Sequence, residues 1–185
     1  WNFWNRDINR LCNRFMSDAK QNDEFDDYPV SDLSLYLVDI HIYSGDIKFQ
    51  FPAFHYCNVL HKGFMECVLY DGPNKDAGIV GVEFFISKEL FESLDDEEKK
   101  SWHSHHYEVL SGMFVAPDVN DDDEPKLMEW LMTTYGKVYD VWHQKDKLPV
   151  GAPRLGMALA MDSQVDWKVV DKMDKILGLK TNTAD

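Results

Sequence analysis

Leu35-Tyr36-Leu37-Val38-Asp39-Ile40-His41-Ile42-Tyr43 runs into Ser44-Gly45-Asp46 and then into Ile47-Lys48-Phe49-Gln50-Phe51. Tyr36, Val38, Ile40 and Ile42 alternate against Leu37, Asp39 and His41, the period of two that an extended chain gives to its two faces. The Ser-Gly-Asp stop and the renewed alternation of Ile47, Phe49 and Phe51 predict a hairpin, its second strand ending before Pro52. Further strands are expected over 64–70 and 78–86, joined by the turn-rich Asp71-Gly72-Pro73-Asn74-Lys75-Asp76. Residues 87–94 read as a helix, and Asp95 with Glu98 three positions on resembles a capping pair for a second short one. Residues 109–115 suggest another strand, and the acidic run before Pro125 a helix start. Strands over 138–143 and 155–161 and a helix over 165–177, stopped by Gly178, complete the series.

Strands interrupted by helices at irregular intervals predict an α+β fold, mainly an antiparallel sheet with flanking helices, in a single domain over residues 35–178. Residues 1–34 read as an N-terminal amphipathic helix (Trp1, Trp4, Ile8, Leu11, Phe15 and Met16 on one face) and an acidic linker; 179–185 form a tail. With 44% hydrophobic residues, the 185-residue chain can build a real core. A formal charge of −14 excludes nucleic acid as a partner, because phosphates demand a basic footprint. No apolar run approaches the roughly 20 residues of a spanning helix, so no transmembrane segment is expected. Cys12, Cys57 and Cys67 make an odd count without CxxC spacing. They predict unpaired thiols in a reducing, intracellular compartment. Cys57 then reads as a small buried hydrophobe, the alternative being a nucleophile paired with His55 two residues away.

Chemistry concentrates in Trp102-His103-Ser104-His105-His106-Tyr107-Glu108. Imidazole is the commonest metal ligand. As a strand, this stretch puts His103 and His105 on one face; as a helix, it pairs His103 with His106, or His105 with Glu108. Either arrangement supplies about two ligands, so further donors must come from His55, Glu83, His41 or Cys57. The candidate metal set is His55, His103, His105 and Glu108, with Glu83 as the alternate carboxylate, and the implied cofactor is one divalent transition metal ion. The competing interpretation is a histidine-rich polar surface.

Many short blocks occur in an order that resembles the oil-body-associated protein family. They include His41-Ile42-Tyr43, His55-Tyr56-Cys57, Glu66-Cys67-Val68-Leu69-Tyr70-Asp71 and Ile79-Val80-Gly81-Val82-Glu83. Trp102-His103-Ser104-His105, Thr134-Tyr135-Gly136-Lys137 and Leu148-Pro149-Val150-Gly151-Ala152-Pro153 follow. The resemblance covers about residues 36 to 177; Phe54 and His143 depart from the family pattern. It implies an accessory protein linked to the lipid-droplet surface or binding a small apolar ligand, in the cytoplasm or on droplets. The alternative is a mononuclear metal-dependent enzyme using the site around His103 and His105.

Overall fold

A computed structural model describes residues 28–61, 63–142 and 147–181. The expected N-terminal amphipathic helix with Trp1 to Met16 on one face, His143 and the last four residues of the tail lie outside them. Seven strands order the fold: Leu35–Tyr43 (β1), Asp46–His61 (β2), Phe64–Tyr70 (β3), Ile79–Ile86 (β4), His103–Ser104 (β5), Tyr135–Asp140 (β6) and Arg154–Ala158 (β7). β1, β2, β3 and β4 form an antiparallel meander. β4 then pairs with β6, β6 with β7, and β7 returns to β1 through His41↔Ala158. The circuit closes into a six-stranded antiparallel barrel. Full closure removes the free edges that an open sheet would expose. β5 occupies the stretch of β6's edge that β7 leaves free, through His103↔Gly136 and Ser104↔Tyr135.

This corrects the expected α+β architecture, because the fold is mostly β. The helices are short: Lys88–Ser93 (α1), Asp96–Lys99 (α2), His106–Leu110 (α3), Glu124–Leu131 (α4) and Trp167–Leu177 (α5). Alternation identifies a strand but not its partner, and closure depends on pairings such as Tyr43↔Gly156 that no local pattern encodes. Several boundaries also move, β6 for example beginning at Tyr135 rather than at 138. β2 continues through Pro52, which pairs with Ile40 before the β3 ladder begins at Phe54↔Tyr70, so the missing N–H breaks no bond to β3. Residues 109–115 are not a strand: the chain leaves α3 and touches β1 in a single bridge, Val38↔Val115.

β1 is buried on both faces. Its apolar side, Val38, Ile40 and Ile42, lies outside the barrel wall and packs with Phe54, Met113, Leu159, Val170 and Met173. Val170 and Met173 come from α5, which starts on the Asp166 side chain accepting from Lys168 N–H and stops at Gly178 in the left-handed conformation. Burying those two side chains contributes about 1.5–3 kcal/mol each. The other face of β1 lines the barrel. Leu35 and Leu37 join an apolar layer with Met65, Leu69, Phe85, Leu127 and Leu131, while Tyr43 joins Phe51 and Ala53 toward the hairpin. Asp39 and His41 fall between the two layers.

Cys57 and Cys67 stand directly opposite each other across β2 and β3 and are joined as a disulfide. The expected free thiols, the nucleophile alternative and the cysteine argument for a reducing compartment are thereby corrected. A count and a CxxC search miss such a pair, because strand register, not sequence spacing, brings the residues together.

A candidate metal centre inside the barrel

Four strands or strand ends aim polar side chains at the gap between the apolar layers. β1 supplies Asp39 and His41, β2 His55, β4 Glu83, and β5 with the residue after it His103 and His105. His103 is 5% exposed and the other five are wholly buried. The approach to β5 is set locally: the Asp95 side chain accepts from Glu97 and Glu98 N–H and starts α2. Glu98 then accepts from Trp102 Nε1 at 2.9 Å and from Lys137 Nζ. Beyond β5, His105 N–H donates to the Thr134 carbonyl before α3 begins, which turns its ring inward. The chain is therefore strand and then helix, and the two arrangements weighed from sequence both occur in part.

Glu83 sits at the centre. Its Oε2 lies 2.8 Å from His55 Nε2 and 3.4 Å from His41 Nε2. Its Oε1 lies 3.3 Å from both His103 Nε2 and His105 Nε2. Asp39 Oδ1 is 3.1 Å from His41 Nε2 and 3.8 Å from His55 Nε2. The donors form two groups, Asp39-His41-His55-Glu83 and Glu83-His103-His105, each with its ligand atoms within 4.8 Å of one another.

Neighbouring hydrogen bonds determine two tautomers. His55 Nδ1 lies 3.1 Å from the Ala53 carbonyl, which only accepts, so Nδ1 carries the proton. Thr134 Oγ1 donates to the Leu131 carbonyl at 2.7 Å, so it accepts from His105 Nδ1 at 2.8 Å. With Nδ1 committed outward, Nε2 is the atom of each ring that faces Glu83, at 2.8 Å for His55 and 3.3 Å for His105, where it can donate to the carboxylate or ligate a cation. Backbone or hydroxyl partners that orient metal-binding imidazoles in this way are a general feature of metal sites. Both oxygens of Asp39 and both ring nitrogens of His41 and His103 lack an aligned hydrogen bond despite their short separations. They converge on shared space more than on one another, at a cost that a bound cation would relieve.

The electrostatics agree. Burial pushes Glu83 upward, but the imidazoles of His103, His105, His41 and His55 crowded around it outweigh burial and hold the carboxyl well below the usual range. Burial likewise opposes ionisation of Asp39, whose neighbours His41 and His55 still leave it lowered. His41 is raised well above its ordinary value because Asp39 and Glu83 overcome its burial, whereas burial lowers His105. Without a metal, a proton on His41 supplies the positive charge; a metal ion would take that proton's place. Two more buried carboxyls border the cluster. Burial raises Asp140 to about 6, and burial reinforced by Asp39 raises Glu108 well above the ordinary carboxyl range.

Of the residues singled out from sequence, His41, His55, Glu83, His103 and His105 come together. Glu108 is buried nearby but belongs to neither donor group. His106 is exposed and Cys57 is in the disulfide. Asp39, Asp140 and Thr134 were missed. Asp39 carried a signal, an Asp-x-His spacing on one strand face; Thr134 carried none. A cleft of about 780 Å³ lies elsewhere, outside the barrel, lined by Tyr107, Leu110, Met128 and Trp167 among others. Phe114 is the floor it shares with the cluster, its ring 5.4 Å from that of His105.

A family model described as "Protein of unknown function (DUF1264)" matches residues 27–185. This chain belongs to that family. Its curated relatives are oil body-associated proteins, in agreement with the sequence resemblance. The chain is 36% identical over 154 residues to oil body-associated protein 1B of Arabidopsis thaliana, covering 82% of this chain and 64% of the relative. To oil body-associated protein 1A of Zea mays it is 33% identical over 153 residues, with the same coverage, 82% and 64%. To oil body-associated protein 2A of Arabidopsis thaliana it is 38% identical over 132 residues, covering 70% and 53%. The chain thus spans less than two thirds of the length of these relatives. No solved structure matches it. In this oil body-associated family member, no helix among the described residues is long and apolar enough to cross a membrane.

Proposed function

We propose that this oil body-associated family member is a metal-binding barrel that serves as an accessory protein at the lipid-droplet surface. A divalent first-row transition ion would be held by Asp39, His41, His55 and Glu83, a mixed imidazole and carboxylate set of the kind such ions accept. One observation carries the reading: the ligand atoms of four wholly buried residues, two imidazoles and two carboxylates, converge within 4.8 Å of one another, with the outer nitrogen of His55 already hydrogen-bonded to the Ala53 carbonyl. Elemental analysis of untagged protein after extensive dialysis tests it. Retention of at least about one ion per chain is expected; metal well below one equivalent overturns it.

The droplet location is supported by the relatives' names and by the exposed apolar side chains of Leu110 and Trp167 lining the cleft. The cleft also suits a small apolar ligand. Flotation with artificial droplets checks the location: the protein is expected to rise with the lipid layer, and its complete retention in the aqueous phase would refute that half of the proposal. The catalytic alternative, a mononuclear centre that activates water or oxygen, draws on the same residues.

A further inference from the structure

We infer that the barrel is built for two metal ions bridged by Glu83, the second bound by Glu83 Oε1, His103 Nε2 and His105 Nε2. The inference rests on the metal-binding reading above and extends it to a site of a different kind.

The donors divide into two sets that share Glu83 alone, and the division falls between its two oxygens. Oε2 faces His41 and His55; Oε1 faces His103 and His105. Bonds of about 2.0–2.2 Å place opposed donors of one ion no more than about 4.4 Å apart. Each set fits that limit to within small adjustments, but the six residues do not form one group. A carboxylate using one oxygen on each side holds two ions about 3.5–4 Å apart, the spacing of two-metal sites.

The second set carries its own signs of preparation. His105 is held by Thr134 with its Nε2 turned inward to Glu83. His103 is buried with neither ring nitrogen hydrogen-bonded. The two rings stand 5.0 Å apart and nearly perpendicular, at 84°, and both Nε2 atoms lie 3.3 Å from Glu83 Oε1. The backbone behind that place is Gly136, where a Cβ would fall 2.6 Å from His105 Nε2, 2.7 Å from His103 Nε2 and against Glu83 Oε1.

The two ions would differ in role. The first has four protein donors and the second three, so the second keeps a coordination position for an exchangeable oxygen donor: water, hydroxide or a small oxyanion. Phe85 stacks on His105 at 4.5 Å and Phe114 meets it edge-on, giving that position apolar walls.

Titrating the metal-stripped full chain with Mn(II), followed by calorimetry and electron paramagnetic resonance, tests the inference. Wild type should take up two ions, with the isolated-ion signal at one equivalent replaced by an exchange-coupled one at two. His103→Gln should take up one ion and show no coupling; should that variant not fold, the wild-type coupling decides alone. One ion in wild type overturns the bridge while leaving the metal-binding proposal intact. No ion overturns both. Two coupled ions in His103→Gln would refute the assignment of the second site.

Discussion

Gly136→Ala is the sharpest perturbation the structure offers, because one methyl group would enter the space between three donor atoms. Its Cβ would stand 2.7 Å from His103 Nε2 and 2.6 Å from His105 Nε2, with Glu83 Oε1 closer still. Ordinary contact begins near 3.5 Å, so each imidazole must retreat by about 0.8 Å or the strand must yield. Metal sites tolerate errors of about 0.2 Å in donor position, several times less than that retreat. Overpacking alone costs about 1–3 kcal/mol, a fall in Tm of roughly 2–12 °C for a chain of this size. Misplaced ligands should weaken metal binding by about 10–100-fold in addition. Gly156→Ala is the control: its Cβ meets Val138 Cγ1 at 2.6 Å and the carboxyl of Asp140, outside both donor groups, at 3.2 Å. It should lose comparable stability and keep its metal. Tm measured with and without chelator, together with metal titration, separates the two effects. Gly136→Ala binding metal as tightly as wild type would refute the reasoning.

Thr134→Val removes the acceptor that orients His105; metal affinity should fall about 10–100-fold by titration, and an unchanged affinity would discard the tautomer argument. In metal-free protein, Asp140 has a folded pKa of about 6 against an ordinary value near 3.9, so its contribution to stability is complete below about pH 4 and lost as pH rises through about 6. Asp140→Asn should therefore gain up to about 3 kcal/mol on wild type between those limits in urea denaturation; a difference independent of pH would contradict this. Reducing Cys57–Cys67, ten residues apart, should cost about 2–3 kcal/mol, read as a Tm drop of roughly 4–12 °C; no change would exclude a stabilising bond. Phe114→Ala opens the wall between cleft and cluster, so chelator should strip metal several-fold faster, and an unchanged rate would show that metal leaves by another route.

Strand positions were legible in the sequence because alternation is a local property: β1, β3 and β4 lie close to where periodicity put them. The meaning of the alternation was not. In β1 the apolar residues Val38, Ile40 and Ile42 face α5 outside the wall, whereas the polar face with Asp39 and His41 is the barrel interior. A period of two says that the faces differ, not which one is enclosed. The histidines at 103 and 105 were visible as a cluster, and Glu83 as a carboxylate among apolar neighbours. Their convergence with His55 depends on the β4–β6 and β5–β6 pairings, which join residues far apart in the chain. Cys57 and Cys67 failed for the same reason, since only the β2–β3 register places them face to face.

Anomalous diffraction at a transition-metal absorption edge, from crystals of untagged protein, tests the central claim most directly. The account predicts density inside the barrel, about 2.1 Å from His55 Nε2 and Glu83 Oε2, with a second peak about 3.5–4 Å away beside His103 and His105. A barrel interior without anomalous signal at a wavelength where the protein's retained metal absorbs, or peaks confined to surface residues, would contradict it.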